Sequence, residues 1–450
     1  MTHSENSRAT AGWSSTAGFF LAATGTAVGL GNVWRFPFLA GENGGGAFVV
    51  VYLIAVLMIG LPLMMAELAI GRKGRAAGDQ AVRNLSGEVG ASPWWGSIGW
   101  LSFIIPFVGI GYYSVVGGWV SDYFAMAFVN RADAGSEFND MLADPVRLLV
   151  GQTVFLSLVT YVVTKDIRQG IERIAKFMMP AFFLLLLGLA IYAAVVGDFA
   201  RAVDFLLAPD FSALSTKVVM LAVGQAFFSL AIGIGVMMAF GSYLPSNVSL
   251  FRTAGGICLA DTLVAIIAGM MIFPLLFAQG LDPQSGPGLV FITMPGAFDA
   301  MTGGAVLYFL FFALLFLAAF TTGVGTLEAA AAWLINRGVA RPKAAIWCGI
   351  GAWFIALITM LSFNILSAVR PLEFIAMFAE SSIFDVIDLT IANLLLPLNG
   401  LLVALFAGWA MKNNTLIREI SPAGVYRIWH GIIRFLVPLG LISVLISLWG

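Results

Sequence analysis

Two glycine-rich stretches decide the fold of this chain: ATGTAVGLGNVWRFPF at residues 23–38 and GQAFFSLAIGIGVMM at residues 224–238. Both lie inside long apolar runs, and each has a cluster of glycines near its middle. Glycine lowers helix stability by about 1 kcal/mol relative to alanine. One such run would be explained as well by close helix packing, since small residues spaced four apart let helices approach. Two of them predict a pair of discontinuous helices.

The composition predicts that these stretches lie in a membrane. Of the 450 residues, 60% are hydrophobic and only 10% are charged, and the mean hydropathy is +0.95. Soluble domains average about 25% charged residues, so this chain could not supply the polar surface that a soluble protein of its size needs. The net charge of −1 gives no reason to expect nucleic acid as a partner. The two cysteines and two histidines exclude a disulfide scaffold and a cysteine-based zinc site.

Eleven apolar runs are long enough to cross a bilayer, which takes about 20 residues. They are 14–38, 47–71, 94–128, 147–164, 171–196, 217–243, 253–278, 303–335, 344–364, 383–411 and 427–449. The glycine clusters fall in the first and the sixth, which predicts two five-span repeats of inverted topology, about 14–196 and 217–411, with an extra span at 427–449. We therefore expect an all-α polytopic membrane protein, with one transmembrane domain over residues 1–450.

The basic residues predict how the chain is oriented, because Lys and Arg concentrate in cytoplasmic loops. With the N-terminus inside, sixteen of the 23 Lys and Arg residues lie on the cytoplasmic side and five lie outside. The odd number of spans then places the C-terminus outside. The first fourteen residues are polar and carry no secretory cleavage pattern. The first span is therefore expected to be retained, in a multi-pass protein of the plasma (inner) membrane.

Several motifs resemble the neurotransmitter:sodium symporter family, over a region that runs from about Trp13 to the C-terminus. They are AVGLGNVWRFPF at 27–38, ENGGGAF at 42–48, GLPLMMAELAIGR at 60–72, Tyr112-Tyr113, GIERIAKFMMP at 170–180, GQAFFSLAIG at 224–233 and AGMMIFP at 268–274. Most members have twelve spans, and some bacterial members have eleven. The resemblance implies a LeuT-like fold and a symporter that imports a small amino acid with sodium by alternating access.

The resemblance also implies two sodium sites made of oxygen ligands. The first would use the carbonyl of Ala27 and the side chains of Asn32, Ser229 and Asp261, together with the substrate carboxylate. Asp261 lies in an apolar run, where an unpaired charge costs about 2.5–3.5 kcal/mol on insertion scales. A protonated, structural carboxyl remains the alternative there, and a hydroxyl bonded to its own helix is the alternative for Ser229. The second site would use the carbonyls of Gly25, Val28 and Ala318 and the hydroxyls of Thr321 and Thr322.

A substrate site between the two broken helices follows from the same resemblance. The amide groups of Leu30 and Gly31, at the positive end of a half-helix, would bind the carboxylate with help from the Tyr113 hydroxyl. Carbonyls near Ala27 and Phe228 would meet the amine. The other pocket residues would be Gly109, Ser229, Ala231, Ile234, Thr322 and Thr326. The small side chains at positions 109 and 231 predict a roomy, mostly apolar pocket, and hence a neutral L-amino acid with a sizeable apolar side chain.

An outer gate is implied by Arg35 and Asp388, which the family pairs across a vestibule, although each could simply extend to water. Two further intramembrane acids, Glu67 and Glu328, are expected to support the broken helices. Asp261 also predicts chloride-independent uptake. Many animal members carry Asn at that position and need chloride, whereas a resident carboxylate would repel a chloride ion in a site of low dielectric.

The inner gate departs from the pattern of the family. Members pair an Arg that precedes the tryptophan equivalent to Trp13 with an Asp at the inner end of span 8. Here Thr10 and Asn336 stand at those positions, so the usual ion pair is excluded. Whether Arg8, Ser242 and Tyr243 replace it is left open by the sequence.

Three other functions are alternatives to a sodium–amino-acid symporter. An ion channel would need a continuous polar stripe or a charged ring, whereas the polar residues within these spans cluster at one depth. A membrane enzyme would need a nucleophile–histidine pair, and neither histidine lies near the motifs. A symporter for another small carboxylate-bearing amine fits the same residues. The expected partners are the substrate and membrane lipid. The sequence leaves open the amino acid, the sodium stoichiometry, proton antiport and the oligomeric state.

Overall fold

A computed structural model describes residues 12–127, 134–284, 288–375, 378–411, 415–420 and 422–447. Within these ranges, nine continuous helices are long and apolar enough to cross a membrane, and we number them as spans 2–5 and 7–11. They are Gly46–Gly74, Pro93–Met126, Pro145–Thr164, Arg168–Val196, Leu250–Ala278, Gly304–Ile335, Arg341–Leu361, Ile383–Ala410 and Ala423–Ile446. Spans 1 and 6 complete the set, and both are broken. The predicted fold class is therefore confirmed, and the repeat boundaries stay a prediction.

Span 1 consists of two helices, Thr16–Ala27 and Gly31–Glu42, which meet at an angle of 48°. The side chain of Ser15 caps the first helix by accepting a hydrogen bond from the amide of Gly18. At Val28 the backbone becomes extended, with φ −69° and ψ 95°, so the helical hydrogen-bond ladder stops there. The backbone groups of this break are left available to neighbouring residues or to a ligand.

Span 6 consists of Thr216–Ser229, which we call 6a, and the short helix Val236–Gly241, which we call 6b. Three residues between them have left-handed backbone: Ala231 at φ 51°, Gly233 at φ 78° and Gly235 at φ 88°. Glycine adopts this conformation without a steric penalty, whereas an alanine is strained. The glycines at 233 and 235 thus permit the second break, as the sequence predicts.

Span 2 and helix 6b touch through their backbones. A Cβ atom on Gly241 would lie 2.7 Å from the carbonyl oxygen of Leu68, and one on Gly71 would overlap the carbonyl of Met238. Helix 6b has only six residues, and a helix of that length is unstable by itself in the absence of tertiary contacts. Its packing against span 2 therefore holds it in place.

Within the described ranges, four helices of at least nine residues connect the spans. They are Gly78–Val89, Ala134–Ala143, Phe199–Leu207 and Leu289–Asp299. On the side where span 2 ends, Arg72 donates from Nε to Glu419 Oε2 at 2.6 Å and from Nη1 to the carbonyl of Val248 at 2.6 Å. This buried arginine therefore ties the ends of three different segments together.

Candidate ion and substrate site

A cavity of about 50 Å³ lies between the breaks of spans 1 and 6 and the middle of span 3. It is lined by Thr26, Ala27, Gly29, Leu30, Gly31, Ile105, Pro106, Gly109, Tyr112, Tyr113, Phe228, Ala231, Ile234, Thr322, Thr326, Ile391 and Leu396. Every residue predicted to bind substrate is in this set except Ser229, which does not line the cavity. Most of the lining is apolar, and its polar groups are concentrated at the span 1 break.

Ser229 belongs to a buried polar cluster centred on Asp261, which is fully buried. Asn32 donates from Nδ2 to Asp261 Oδ1 at 2.8 Å, and Ser229 donates to Asp261 Oδ2 at 2.6 Å. Tyr52 adds a hydroxyl 3.1 Å from Ser229 Oγ and 3.3 Å from Asp261 Oδ2. Spans 1, 2, 6 and 7 thus contribute one oxygen-rich group each, which is the ligand chemistry of a hard cation such as sodium.

The pocket has an unused hydroxyl next to the span 1 break. Tyr113 is buried, and its oxygen makes no hydrogen bond of ordinary geometry with the described residues, although it faces the backbone of Leu30 and the side chain of Thr322. From the other side, Gln225 donates from Nε2 to the carbonyl of Gly31 at 2.7 Å. A buried polar group is expected to be satisfied, so this corner suits an anionic group of a ligand.

A second polar cluster joins span 1 to span 8. Thr322 donates to the carbonyl of Thr26 at 3.1 Å, and Thr321 donates to the carbonyls of Leu317 and Ala318 at 2.9 and 3.2 Å. A Cβ atom on Gly25 would lie 3.3 Å from Cβ of Thr321, so the backbone of span 1 packs directly on this threonine. Gly25, Ala318, Thr321 and Thr322, four of the five residues predicted for the second ion, are therefore neighbours.

Glu67 supports the break in span 6. It is fully buried and accepts a hydrogen bond from the amide of Gly233 at 2.6 Å. Asn399 donates to the carbonyl of the same glycine at 2.7 Å. Two side chains from spans 2 and 10 thereby satisfy backbone groups that the break leaves without helical partners.

A vestibule of about 300 Å³ adjoins the cavity at Phe228 and Tyr113, and both Arg35 and Asp388 line it. The guanidinium carbon of Arg35 is 4.5 Å from the centre of the Phe228 ring, and one of its nitrogens has no hydrogen-bond partner among the described residues. Asp388 faces both Arg35 and the hydroxyl of Tyr112. The two charges flank the vestibule without forming a direct ion pair.

Near the connection between spans 8 and 9, an ion pair differs from the pattern of the family. Arg341, at the start of span 9, donates to both oxygens of Glu328 at 2.7 and 2.9 Å, and it lies 3.4 Å from the hydroxyl of Tyr243. Asn336 instead donates to the carbonyl of Ala77 at 2.9 Å. Glu328, which was expected to support the broken helices, is thus paired with Arg341, while Arg8 and Thr10 lie outside the described residues.

The segment before span 1 is fixed to spans 5 and 6. Trp13 donates from Nε1 to the carbonyl of Phe240 at 3.3 Å, and the amide of Ser14 donates to Glu172 at 2.8 Å. Glu172 also pairs with Lys176 at 2.6 Å. The start of span 1 is therefore held by both a buried indole and a buried carboxylate.

Two of the most informative residues were missed by reasoning from sequence. Tyr52 lies in an apolar part of span 2, and the hydroxyl of a buried tyrosine usually finds a hydrogen-bond partner. That requirement is a signal that could have placed Tyr52 beside the ion cluster. Arg341 lies thirteen residues after Glu328. The tight connection between spans 8 and 9 could have predicted that an arginine there would reach an acid inside span 8.

Comparison with known proteins agrees with this geometry. The chain matches the model of the sodium:neurotransmitter symporter family over residues 10–139 and 134–447. It is 33% identical to an uncharacterized sodium-dependent transporter of Bacillus subtilis (strain 168), with 97% of each chain covered. It is 32% identical to an uncharacterized sodium-dependent transporter of Haemophilus influenzae, with 99% of each covered. The crystal structure of MhsT in complex with L-phenylalanine is similar at a TM-score of 0.89 and 35% identity, covering 97% of this chain and 99% of MhsT.

Proposed function

The chain belongs to the sodium:neurotransmitter symporter family and is a sodium-dependent symporter, and from this premise we propose that it imports a neutral L-amino acid with an apolar side chain. Import would proceed by alternating access, with two sodium ions and without chloride. The membrane would be the plasma (inner) membrane, with the N-terminus in the cytoplasm and the C-terminus outside.

The observation that carries this proposal is the mostly apolar cavity between the two breaks, which has uncharged walls and polar groups at the span 1 break. The amides of Leu30 and Gly31 and the hydroxyl of Tyr113 would bind the carboxylate, since a half-helix start favours negative charge. Carbonyls near Ala27 and Phe228 would bind the amine. Gly109, Ala231, Ile234 and Thr326 offer no charge to the side chain, so acidic and basic amino acids would be excluded by the cost of burying an unpaired charge.

The similarity to MhsT supports an apolar cargo, because that protein was crystallised with L-phenylalanine. The cavity measures only about 50 Å³, where about 10–15 Å³ admits one water. A large side chain would therefore require the half-buried Ile234 and Phe228 to move apart. Gly109 gives the direction of expansion, since a Cβ atom there would meet no atom within 4 Å.

The ion sites are proposed from the two polar clusters. The first ion would lie among Ala27, Asn32, Ser229 and Asp261, beside the substrate carboxylate. The second would lie among Gly25, Val28, Ala318, Thr321 and Thr322. Asp261 is the acidic member of the first set, and its carboxylate would offset the charge of the first ion. That is the reason to expect uptake that is independent of chloride.

The gates are proposed from the two ends of the pathway. Arg35 and Asp388 flank the outer vestibule and would approach each other, directly or through water, when the substrate is enclosed. The contacts of Arg341 with Glu328 and Tyr243 would have to break before the substrate can leave to the inner side. Alternating access requires that the outer gate and the inner gate are never open at the same time.

A thermal-shift screen of the purified protein against the twenty amino acids, with sodium or with potassium, tests the proposal. We expect stabilisation by leucine, methionine, phenylalanine or tryptophan that depends on sodium, because a ligand that binds only the folded state raises its apparent stability. Glycine and alanine should have little effect. Stabilisation by glutamate or lysine in preference to these four would refute the assignment of the pocket, and an equal effect in potassium would refute the assignment of the ion sites.

A further inference from the structure

One side of the substrate cavity is an apolar cluster formed by spans 3 and 10. Its buried members at the cavity are Ile105, Ile391 and Leu396. This cluster is separate from the main apolar core, which includes Ala27 and Leu30 at the break of span 1. Since residues of both groups line the cavity, the cavity lies between them. A substrate held at the span 1 break would therefore extend its side chain toward spans 3 and 10.

Span 10 presents two side chains to the cavity because its backbone is a π-helix at this point, over Thr390–Leu395. The amide of Leu396 donates to the carbonyl of Ile391, five residues earlier. In an α-helix of about 3.6 residues per turn, side chains five positions apart point about 140° away from each other. The wider π turn brings residues five apart closer to one face, and both Ile391 and Leu396 line the cavity.

A proline explains why the wide turn forms at this place. Pro397 is the second residue of the helix Leu396–Leu405, which follows the π-helix directly. A proline ring within a helix has no amide to donate, and it clashes with the carbonyl four residues earlier, which here belongs to Asn393. A wider turn moves that carbonyl away from the ring. Single π turns inside longer helices are frequently found at functional sites.

The π turn is fixed to the break in span 6. A Cβ atom on Gly233 would lie 2.6 Å from the carbonyl oxygen of Leu396, so the two backbones are in contact. Asn399, which follows Leu396 by three residues, donates to the carbonyl of Gly233 at 2.7 Å. Ile234 packs against the same apolar cluster. The cavity side of span 10 is thus held in a defined position, as residues that discriminate between ligands require.

We propose that the span 10 wall, Ile391 and Leu396, sets the size of the side chain that the transporter accepts. The two residues would contact the far end of the substrate side chain, and neither carries a hydrogen-bonding group in its side chain. The wall therefore selects side chains that end in apolar atoms, since burying a polar group without a partner is unfavourable. This inference rests on the proposed function and adds the residues that rank leucine, phenylalanine and tryptophan.

Competition binding of leucine, phenylalanine and tryptophan to the intact protein, with sodium present, tests the proposal. Ile391→Ala and Leu396→Ala should each raise the affinity for tryptophan relative to leucine at least about tenfold, because a misfit of one methylene in an apolar pocket is worth roughly 10- to 200-fold. Ile391→Val should shift the same ratio in the same direction by less. The matched control is Leu401→Ala, which truncates a half-buried leucine of span 10 that packs on the main core. It should leave the ratio unchanged.

The inference is wrong if Ile391→Ala and Leu396→Ala change the binding of all three amino acids by one common factor, because a residue that only supports the fold acts on every substrate alike. It is equally wrong if Leu401→Ala shifts the ratio as much as they do. Both of these results leave the proposed function standing, whereas a wild type that binds none of the three with sodium would overturn the function and the inference together. If the alanine variants fail to fold, Ile391→Val decides, and an unchanged ratio in that variant overturns the inference.

Discussion

Replacing Gly109 with alanine should narrow the substrate pocket without disturbing the fold. A Cβ atom at this position meets no atom within 4 Å, so the added methyl group points into open space. The cavity there is only about 50 Å³, and a space of about 10–15 Å³ already admits a water molecule. One methyl group therefore removes a substantial part of the room available to a side chain.

The expected result is a change in selectivity. Misfitting one methylene in an apolar pocket costs about 1–3 kcal/mol, or roughly 10- to 200-fold. Sodium-dependent binding of phenylalanine and leucine should therefore weaken at least tenfold in Gly109→Ala, while the weak binding of glycine and alanine stays unchanged. The stability without ligand should hold or rise, because alanine favours a helix interior over glycine by up to about 1 kcal/mol.

Competition binding and thermal unfolding, each run with sodium, measure both effects. The matched control is Gly188→Ala, which makes the same change in span 5, where a Cβ atom also meets no atom within 4 Å and the position is exposed. That variant should bind every amino acid as wild type does. The reasoning is refuted if Gly109→Ala weakens all amino acids by the same factor, or if it leaves phenylalanine and leucine binding unchanged.

Three further predictions concern the ion site and the gates. Asp261→Asn should weaken the activation of uptake by sodium at least about tenfold, because a fixed charge beside an ion is worth a few kcal/mol even at an effective dielectric of about 20. Uptake by the variant and by wild type, in sodium gluconate and in sodium chloride, measures this effect. A wild type that shows no uptake in gluconate would contradict the role of Asp261. Asp388→Asn should lower transport at saturating substrate more than it lowers binding, and equal transport by the two proteins would remove the outer-gate assignment. Arg341→Gln should lower the stability by about 3–5 kcal/mol, because it leaves Glu328 buried and unpaired. The double variant Arg341→Gln with Glu328→Gln should recover most of that loss. Thermal unfolding measures the stability of both variants, and a double variant no more stable than the single one would disprove the pairing.

The spans and the two breaks could be predicted from sequence because they depend on local properties. Each predicted span overlaps a helix, and the boundaries differ by a few residues, as at 147–164 against Pro145–Thr164. Apolar runs identify helices in lipid, since the backbone must satisfy its own hydrogen bonds there. Gly233 and Gly235 signalled the second break because their positive φ angles are open to glycine.

The side-chain pairings could be predicted only where family motifs carried them. Asn32, Ser229 and Asp261 were expected together, and their side chains do meet. The inner closure by Arg341 and Glu328 was not expected, because it depends on how spans 8 and 9 pack and on which rotamers reach across. The narrow volume of the cavity also escaped prediction. Small residues at positions 109 and 231 indicate room, but the large residues Ile105, Phe228 and Leu396 close around it.

The backbone contact between span 2 and helix 6b has a mechanical consequence. Because Gly71 and Gly241 each leave no room for a side chain, the two segments cannot slide past each other by exchanging rotamers. We therefore expect the two segments to move together when the protein changes conformation. Lys73, which is partly exposed near the end of span 2, is therefore a place where a spectroscopic label would report the displacement of helix 6b, although the label itself would sit outside the transport pathway.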